Sequence, residues 1–184
     1  MSTIVKTKQR LSVKAQILAA LAAVVAAVAV PQILHLLGAA TGMGSSLGEI
    51  FLPMHLPIML VGLMAGPFAG AVAGLVAPLL STLLTSMPGV GILPFMMIEL
   101  CVYGLAAGLL KEINIPSVVK VIIVQISGRA VRAGAICLAV YAFGYEKISV
   151  SIIWTSIAVG LIGMALQLAL IPLIMYRLNG IKQK

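Results

Sequence analysis

From Lys14 to Leu37 the chain reads KAQILAALAAVVAAVAVPQILHLL, with no carboxylate in it and no lysine or arginine after Lys14. A stretch this long and this apolar exceeds the roughly 20 residues a helix needs to cross a hydrocarbon core. In lipid every backbone polar group must be satisfied internally, which leaves only helices and closed barrels. The apolar runs here are continuous and not alternating, and that excludes the barrel. Comparable runs recur almost to the C-terminus, and a 62% hydrophobic, 9% charged composition lies well outside the range of soluble domains. The reading is an all-α integral membrane protein, one domain over residues 1–184.

Six transmembrane helices are expected, at about 14–37, 50–65, 67–86, 91–110, 116–143 and 149–176. The basic start STIVKTKQR imitates a secretory signal, but the run after it is long enough to span and more spans follow, so it reads as a retained first helix. Cys101 and Cys137 fall inside spans without CxxC spacing and read as packing residues.

Charge sets the orientation. Lys6, Lys8, Arg10 and Lys14 precede the first span, Lys111 and Lys120 flank the turn between the fourth and fifth, and Arg177, Lys182 and Lys184 follow the sixth. The positive-inside rule makes all three clusters, and both termini, cytoplasmic, which six crossings satisfy. The net charge of +8 therefore reports topology and calls for no nucleic acid. The outer side then carries a 38–48 loop, the SMPGVG turn and FGYEK, with Phe143, Tyr145 and Trp154 at the height of an aromatic belt.

The second span is short, and the stretch GEIFLPMHLPIMLVGLMAGPFAGAVAGLVAPLL contains Pro53, Pro57, Pro67 and Pro78. Broken helices are tolerated at membrane depth only where backbone lines a cavity or is buried in protein, so this span is expected to be bent or partly re-entrant, beside a pocket. Three charges also stayed inside the bilayer. At 1.5 Å per residue, Glu99 lies about 12 Å below the outer end of its helix, and Arg129 reaches a similar depth from the other side, with Arg132 one turn further out. The two helices are joined by a short turn and should pack antiparallel, which pairs Glu99 with Arg129 and leaves Arg132 as the surplus cation. Such charges cost several kcal/mol unless paired, hydrated or facing a polar cavity. Two readings stay open: an ion pair that only fixes packing, or a site that neutralises a ligand's carboxylate, phosphate or polar face.

His35, Glu49 and His55 lie near the outer face. Without HxxxH spacing or a second cluster they do not read as a metal site; Glu49 and His55 suit ligand contact or loop ordering, and His35 an interfacial position. Gln125 and Gln167 read as interhelical glue. Ala15, Ala19, Ala23 and Ala27 form a stripe that lets another backbone approach closely, which suits either internal packing or a surface for a partner, whereas Gly66, Gly70 and Gly74 read as internal packing.

Catalysis finds little support. The chain has no aspartate and four dispersed glutamates, Ser81 and His55 lie near opposite ends of the pattern with no GxSxG elbow, and no P-loop is present, so no catalytic residues are expected and any ATP dependence must come from partners. An autonomous secondary transporter or channel is the rival class; the lack of an inverted repeat and the shortage of intramembrane acids stand against it.

The basic N-terminus, the AxxxA-bearing first helix, the short second span after an external loop, and GLMAGPFAGAVAGLVAPLLSTLLT followed by ILPFMMIELCVYGLAAGLL resemble, over essentially the whole chain, the substrate-binding S component of energy-coupling factor (ECF) vitamin transporters. The resemblance implies a multi-pass subunit in the plasma membrane of a prokaryote that captures a vitamin from outside and carries no cofactor besides that ligand. It would then dock on a transmembrane T component driven by two cytoplasmic ATPase subunits and topple in the bilayer. Ala15, Ala19, Ala23 and Ala27 correspond to that family's docking stripe, and the region from Pro53 to Pro57, closed over by the 38–48 loop, to the roof of its pocket. Expected substrate-binding residues are Glu49, Met54, His55, Met59, Met96, Glu99, Arg129 and Arg132. The scarcity of aromatics disfavours a flat ring, and arginines beside Glu99 disfavour a cationic vitamin. Cobalamin is preferred because Met54, Met59, Met96 and Met97 adapt to a large, uneven surface; pantothenate, with its carboxylate on Arg129 or Arg132, riboflavin and a queuosine precursor are the alternatives.

Overall fold

The computed structural model describes residues 11–181 apart from Ser45, with side chains as far as Leu178; Lys6, Lys8, Arg10, Lys182 and Lys184 lie outside the described residues. The described chain is helical: α1 (Val13–Thr41), α2 (Ser46–Phe51), α3 (His55–Ala65), α4 (Pro67–Thr85), α5 (Leu93–Leu109), α6 (Ser117–Phe143) and α7 (Ile152–Ile181). Taking α2 and α3 as one broken segment, five segments are long and apolar enough to cross a membrane, and α5 is a shorter apolar helix of 17 residues.

Ser12 starts α1, its hydroxyl accepting the Ala15 N–H at 3.3 Å, and Gly42 ends it in the left-handed conformation at φ +76°. The helix thus passes its expected end at Leu37 and continues to Thr41. The external loop expected over 38–48 is correspondingly reduced to the few residues between Thr41 and Ser46. Gly38 explains the compactness: the Gly44 N–H donates to the Gly38 carbonyl at 3.0 Å, and a Cβ on Gly38 would strike the Gly44 backbone.

The second span is broken, as its prolines suggest. Pro53 disfavours helical geometry in the residue before it, and Leu52 takes a left-handed φ of +48°. Two donors satisfy the Leu52 carbonyl, the His55 N–H at 3.1 Å and Gln167 Nε2 at 3.4 Å. Gln167 Oε1 in turn accepts from Gln125 Nε2 at 3.1 Å, so the two glutamines tie α6, α7 and the break together. Gly163 lets this happen, because any side chain there would meet the backbone of Ile50 and Phe51. A Gln167→Leu variant is expected to lose about 1–2 kcal/mol of stability, the upper part of the range for hydrogen bonds between membrane helices, measured as thermal unfolding in detergent. An unchanged midpoint would show that the break is held without it.

The tightest packing is between α4 and α5. Cβ atoms on Gly70 or Gly104 would each fall on the other's backbone, and one on Gly74 would meet that of Leu100. With no side chains between them, the two helices come into direct backbone contact, which maximises dispersion where apolar lipid supplies no hydrophobic drive. On the next interface Gly128 of α6 receives the ring of Tyr103, which is almost completely buried.

Part of the alanine stripe on α1 packs inside the chain. Ala23 and Ala27 are buried in the core, where α1 packs on α3 and α4, and Ala15 and Ala19 are half-buried, Ala19 against the same core. At Ala19, Ala23 and Ala27 the stripe is a seam within this chain, giving α3 and α4 a flat surface to pack on. The exposed face of α1 lies to its side, at Leu18, Leu21, Ala22, Val25 and Ala29. Phe143 and Trp154 are exposed as a belt requires, but Tyr145 is not a belt residue. Its hydroxyl donates to the Gly91 carbonyl at 3.1 Å and its ring meets Phe95 edge-on, pinning the α6–α7 loop to the start of α5.

Candidate functional site

The end of the bundle away from Lys111, Lys120 and Arg177 holds a cavity of about 330 Å³. Element order explains its place: here α1 ends, the broken span begins, α4 turns into α5 and α6 into α7. Pro31 and His35 of α1 form one wall, Glu49 and the break from Leu52 to His55 another, and Ile152, Thr155, Ser156 and Val159 of α7 a third. The α4–α5 turn contributes Met87, Pro88 and Gly89. Hydroxyls from the last turns of α4 fix that turn: Ser81 Oγ donates to the Met87 carbonyl at 2.7 Å and Thr82 Oγ1 to the Pro88 carbonyl at 2.9 Å. No Phe, Tyr or Trp is among the lining residues.

Glu99, Arg129 and Arg132 border the same cavity. Glu99 is 1% exposed and sits between the two guanidinium groups, which are 10% and 11% exposed. Arg132 Nη1 donates to Glu99 Oε2 at 3.0 Å. Arg129 Nε approaches Glu99 Oε1 at 3.2 Å as an ion pair, without the alignment of a hydrogen bond. Among the described residues none of the three Arg129 nitrogens has a hydrogen-bond partner, although all are buried. The Tyr103 hydroxyl donates to Glu99 Oε1 at 3.3 Å, and His55 Nε2 lies 3.8 Å from the same oxygen.

This reverses the expected division between the arginines. Depth along the helices pairs Glu99 with Arg129 and leaves Arg132 over, but side chains travel several ångströms from their Cα atoms, and Arg132 reaches back one turn to take the hydrogen bond. Arg129 has all three buried nitrogens without a hydrogen bond, Arg132 only its Nε. The room for Arg129 comes from α7: a Cβ on Gly160 would press on Arg129 Nη2 and on the Leu52 side chain.

Of the expected binding residues, Glu49, Met54, His55, Met96, Glu99, Arg129 and Arg132 line the cavity. Met59 does not; it is fully buried in the core where α3 packs on its neighbours, and Met97 is absent from the lining as well. His35 is a wall residue and not merely interfacial, lying against Gly48, where a side chain would strike its ring. Ser81 and His55, expected at opposite ends, border one cavity, yet Ser81 Oγ is committed to the Met87 carbonyl. The α7 wall escaped sequence reasoning. Its signals are Thr155 and Ser156 in an otherwise apolar helix and the Gly160, Gly163 pair one turn apart, which marks close approach by another backbone.

The glycine seams, the broken second span and the apolar helices make this a helical membrane protein built around a charged cavity. A family model described as "ECF transporter, substrate-specific component" matches residues 10–175. Neither the curated proteins nor the solved structures gave a match. Since the match runs through nearly all of the described chain, from the start of α1 into α7, the protein belongs to the substrate-specific component family of ECF transporters.

Proposed function

We propose that this chain is the high-affinity subunit that captures a small, non-aromatic vitamin at the outer face of a prokaryotic plasma membrane, pantothenate being the best fit, and delivers it to an ECF module of one T component and two ATPase subunits. The observation that carries the reading is the cavity. It lies at the bundle end opposite Lys111, Lys120 and Arg177, which the positive-inside rule makes the outer end. Its volume of about 330 Å³ is at the low end for small-molecule sites. A corrinoid is several times larger, and with Met59 and Met97 outside the lining the argument for cobalamin from four methionines loses half its residues. The lack of aromatic lining residues likewise disfavours riboflavin, whose flat ring system calls for stacking.

Proteoliposomes test the proposal. The purified chain alone is expected to bind pantothenate without accumulating it, and ATP-dependent uptake should appear only when T and ATPase subunits are co-reconstituted. Uphill uptake by the chain alone would replace this reading with a secondary transporter. Tighter binding of cobalamin than of pantothenate would restore the corrinoid.

A further inference from the structure

Resting on the reading of this cavity as a ligand site, we infer that Arg129 is an anion subsite that takes a carboxylate of the ligand, while Arg132 is withheld from the ligand as the partner of Glu99. Three observations lead there. The cluster holds two guanidinium groups against the single carboxylate of Glu99, and among the described residues no ion pair joins Glu49, the other acid at the cavity, to either arginine. The hydrogen bond to Glu99 belongs to Arg132, whose buried Nε is its one buried nitrogen without a partner, whereas Nε, Nη1 and Nη2 of Arg129 are all buried and without a hydrogen bond in a side chain that is 10% exposed and borders the cavity. Buried donors of a charged group are rarely left unsatisfied, and each one left so is costly.

The remaining neighbours add to the case. Gly160 leaves space beside Arg129 Nη2 that a larger residue would fill. His55 has neither ring nitrogen hydrogen-bonded, and an imidazole, neutral or protonated, carries no negative charge to offset Arg129. A planar guanidinium with free donors matches a carboxylate, which takes two parallel N–H···O bonds. The ligand class is therefore a small aliphatic acid with one carboxylate on Arg129. Thr155, Ser156 and Glu49 in the same lining are the polar groups available to the rest of it.

The test compares acids with neutral twins that differ only at this group: pantothenate with pantothenol, and biotin with biotinamide. Binding to the purified wild-type chain is measured by titration calorimetry and thermal shift, then repeated on Arg129→Gln, Arg129→Lys and Arg132→Gln. One acid is expected to bind about 10- to 100-fold more tightly than its twin, the range for a charge-assisted hydrogen bond. Arg129→Gln should erase that preference by weakening the acid and leaving the twin unchanged, Arg129→Lys should keep part of it, and Arg132→Gln, which leaves Arg129 as the sole partner of Glu99, should weaken the preference less than Arg129→Gln does while lowering stability. The wild-type comparison needs no variant, so a misfolded mutant does not spoil the test. Equal binding of acid and twin, or equal loss of both in Arg129→Gln, would overturn the subsite and make the cluster a structural clamp. Tight binding of an uncharged vitamin that survives Arg129→Gln would also overturn it, yet leave the transport role standing. Failure of every vitamin in a broad panel, together with no uptake through a reconstituted ECF module, would remove the transport role and this subsite with it.

Discussion

Leucine in place of Gly104 is expected to leave no folded protein. Its Cβ alone would land on the backbone of Gly70, and backbone cannot yield as a flexible side chain can. Relief requires α4 and α5 to separate, and Gly70, Gly74 and Gly108 lose their close contacts along with Gly104, because all lie on the same seam. Overpacking a well-filled interior with a methylene or two typically costs about 1–3 kcal/mol, which sets the expectation for Gly104→Ala; with leucine the cost exceeds what a marginally stable domain can absorb. The measurement is the yield of monodisperse protein after extraction and its thermal midpoint. Gly134→Ala serves as the control, since a Cβ there meets nothing within 4 Å on an exposed part of α6, and it should be neutral or slightly stabilising. A folded Gly104→Leu protein with a midpoint near that of Gly134→Ala would mean that the α4–α5 contact is not a close one.

The second large effect is expected from Glu99→Gln, which removes the carboxylate shared by Arg129 and Arg132. Two positive charges would then face each other with little water and no counter-charge. Breaking a buried ion pair from one side costs about 3–5 kcal/mol because the remaining charge is left uncompensated. Adding Arg132→Gln to Glu99→Gln should recover much of the loss, and the coupling between the two sites should stand well above the additive expectation. Affinity for an acidic ligand should survive better in that double variant than in Glu99→Gln combined with Arg129→Gln, because only the first retains the cation assigned to the ligand. Thermal unfolding gives the stabilities and calorimetry the affinities. A Glu99→Gln protein as stable as the wild type would show that the arginines are compensated by water from the cavity.

The two expectations differ in how far sequence could supply them. That Gly70 and Gly74 pack internally follows from their four-residue spacing on one helix, and it needs no knowledge of the partner helix; Gly66 departs from the expectation, standing at φ +114° in the junction between α3 and α4, where a Cβ would meet nothing within 4 Å. That Glu99 sits between arginines was foreseeable from depth alone, since three charges in one layer of the bilayer have little choice but to meet. Which arginine it bonds was not foreseeable, because the answer depends on rotamers and on space that Gly160 vacates on a helix distant in sequence. The alanine stripe is the plainest case of ambiguity. A run of small residues permits a close backbone approach, and sequence cannot tell whether the approaching helix comes from the same chain; burial of Ala23 and Ala27 decides for the same chain.

What the sequence determined by itself is what the bilayer forces on any chain: helices and their number. Those follow from hydrophobic length because lipid leaves backbone polar groups no alternative partner. It also determined that the second span breaks, since Pro53 acts on its neighbour locally. Only the tertiary structure decided how the break is stabilised, with Gln167 reaching the Leu52 carbonyl from far along the chain, which methionines face the cavity, and which guanidinium is left with free donors. Each of these is a relation between residues on different helices. Helix rotation and side-chain direction set them, and hydropathy carries no information about either once every face of a helix is apolar.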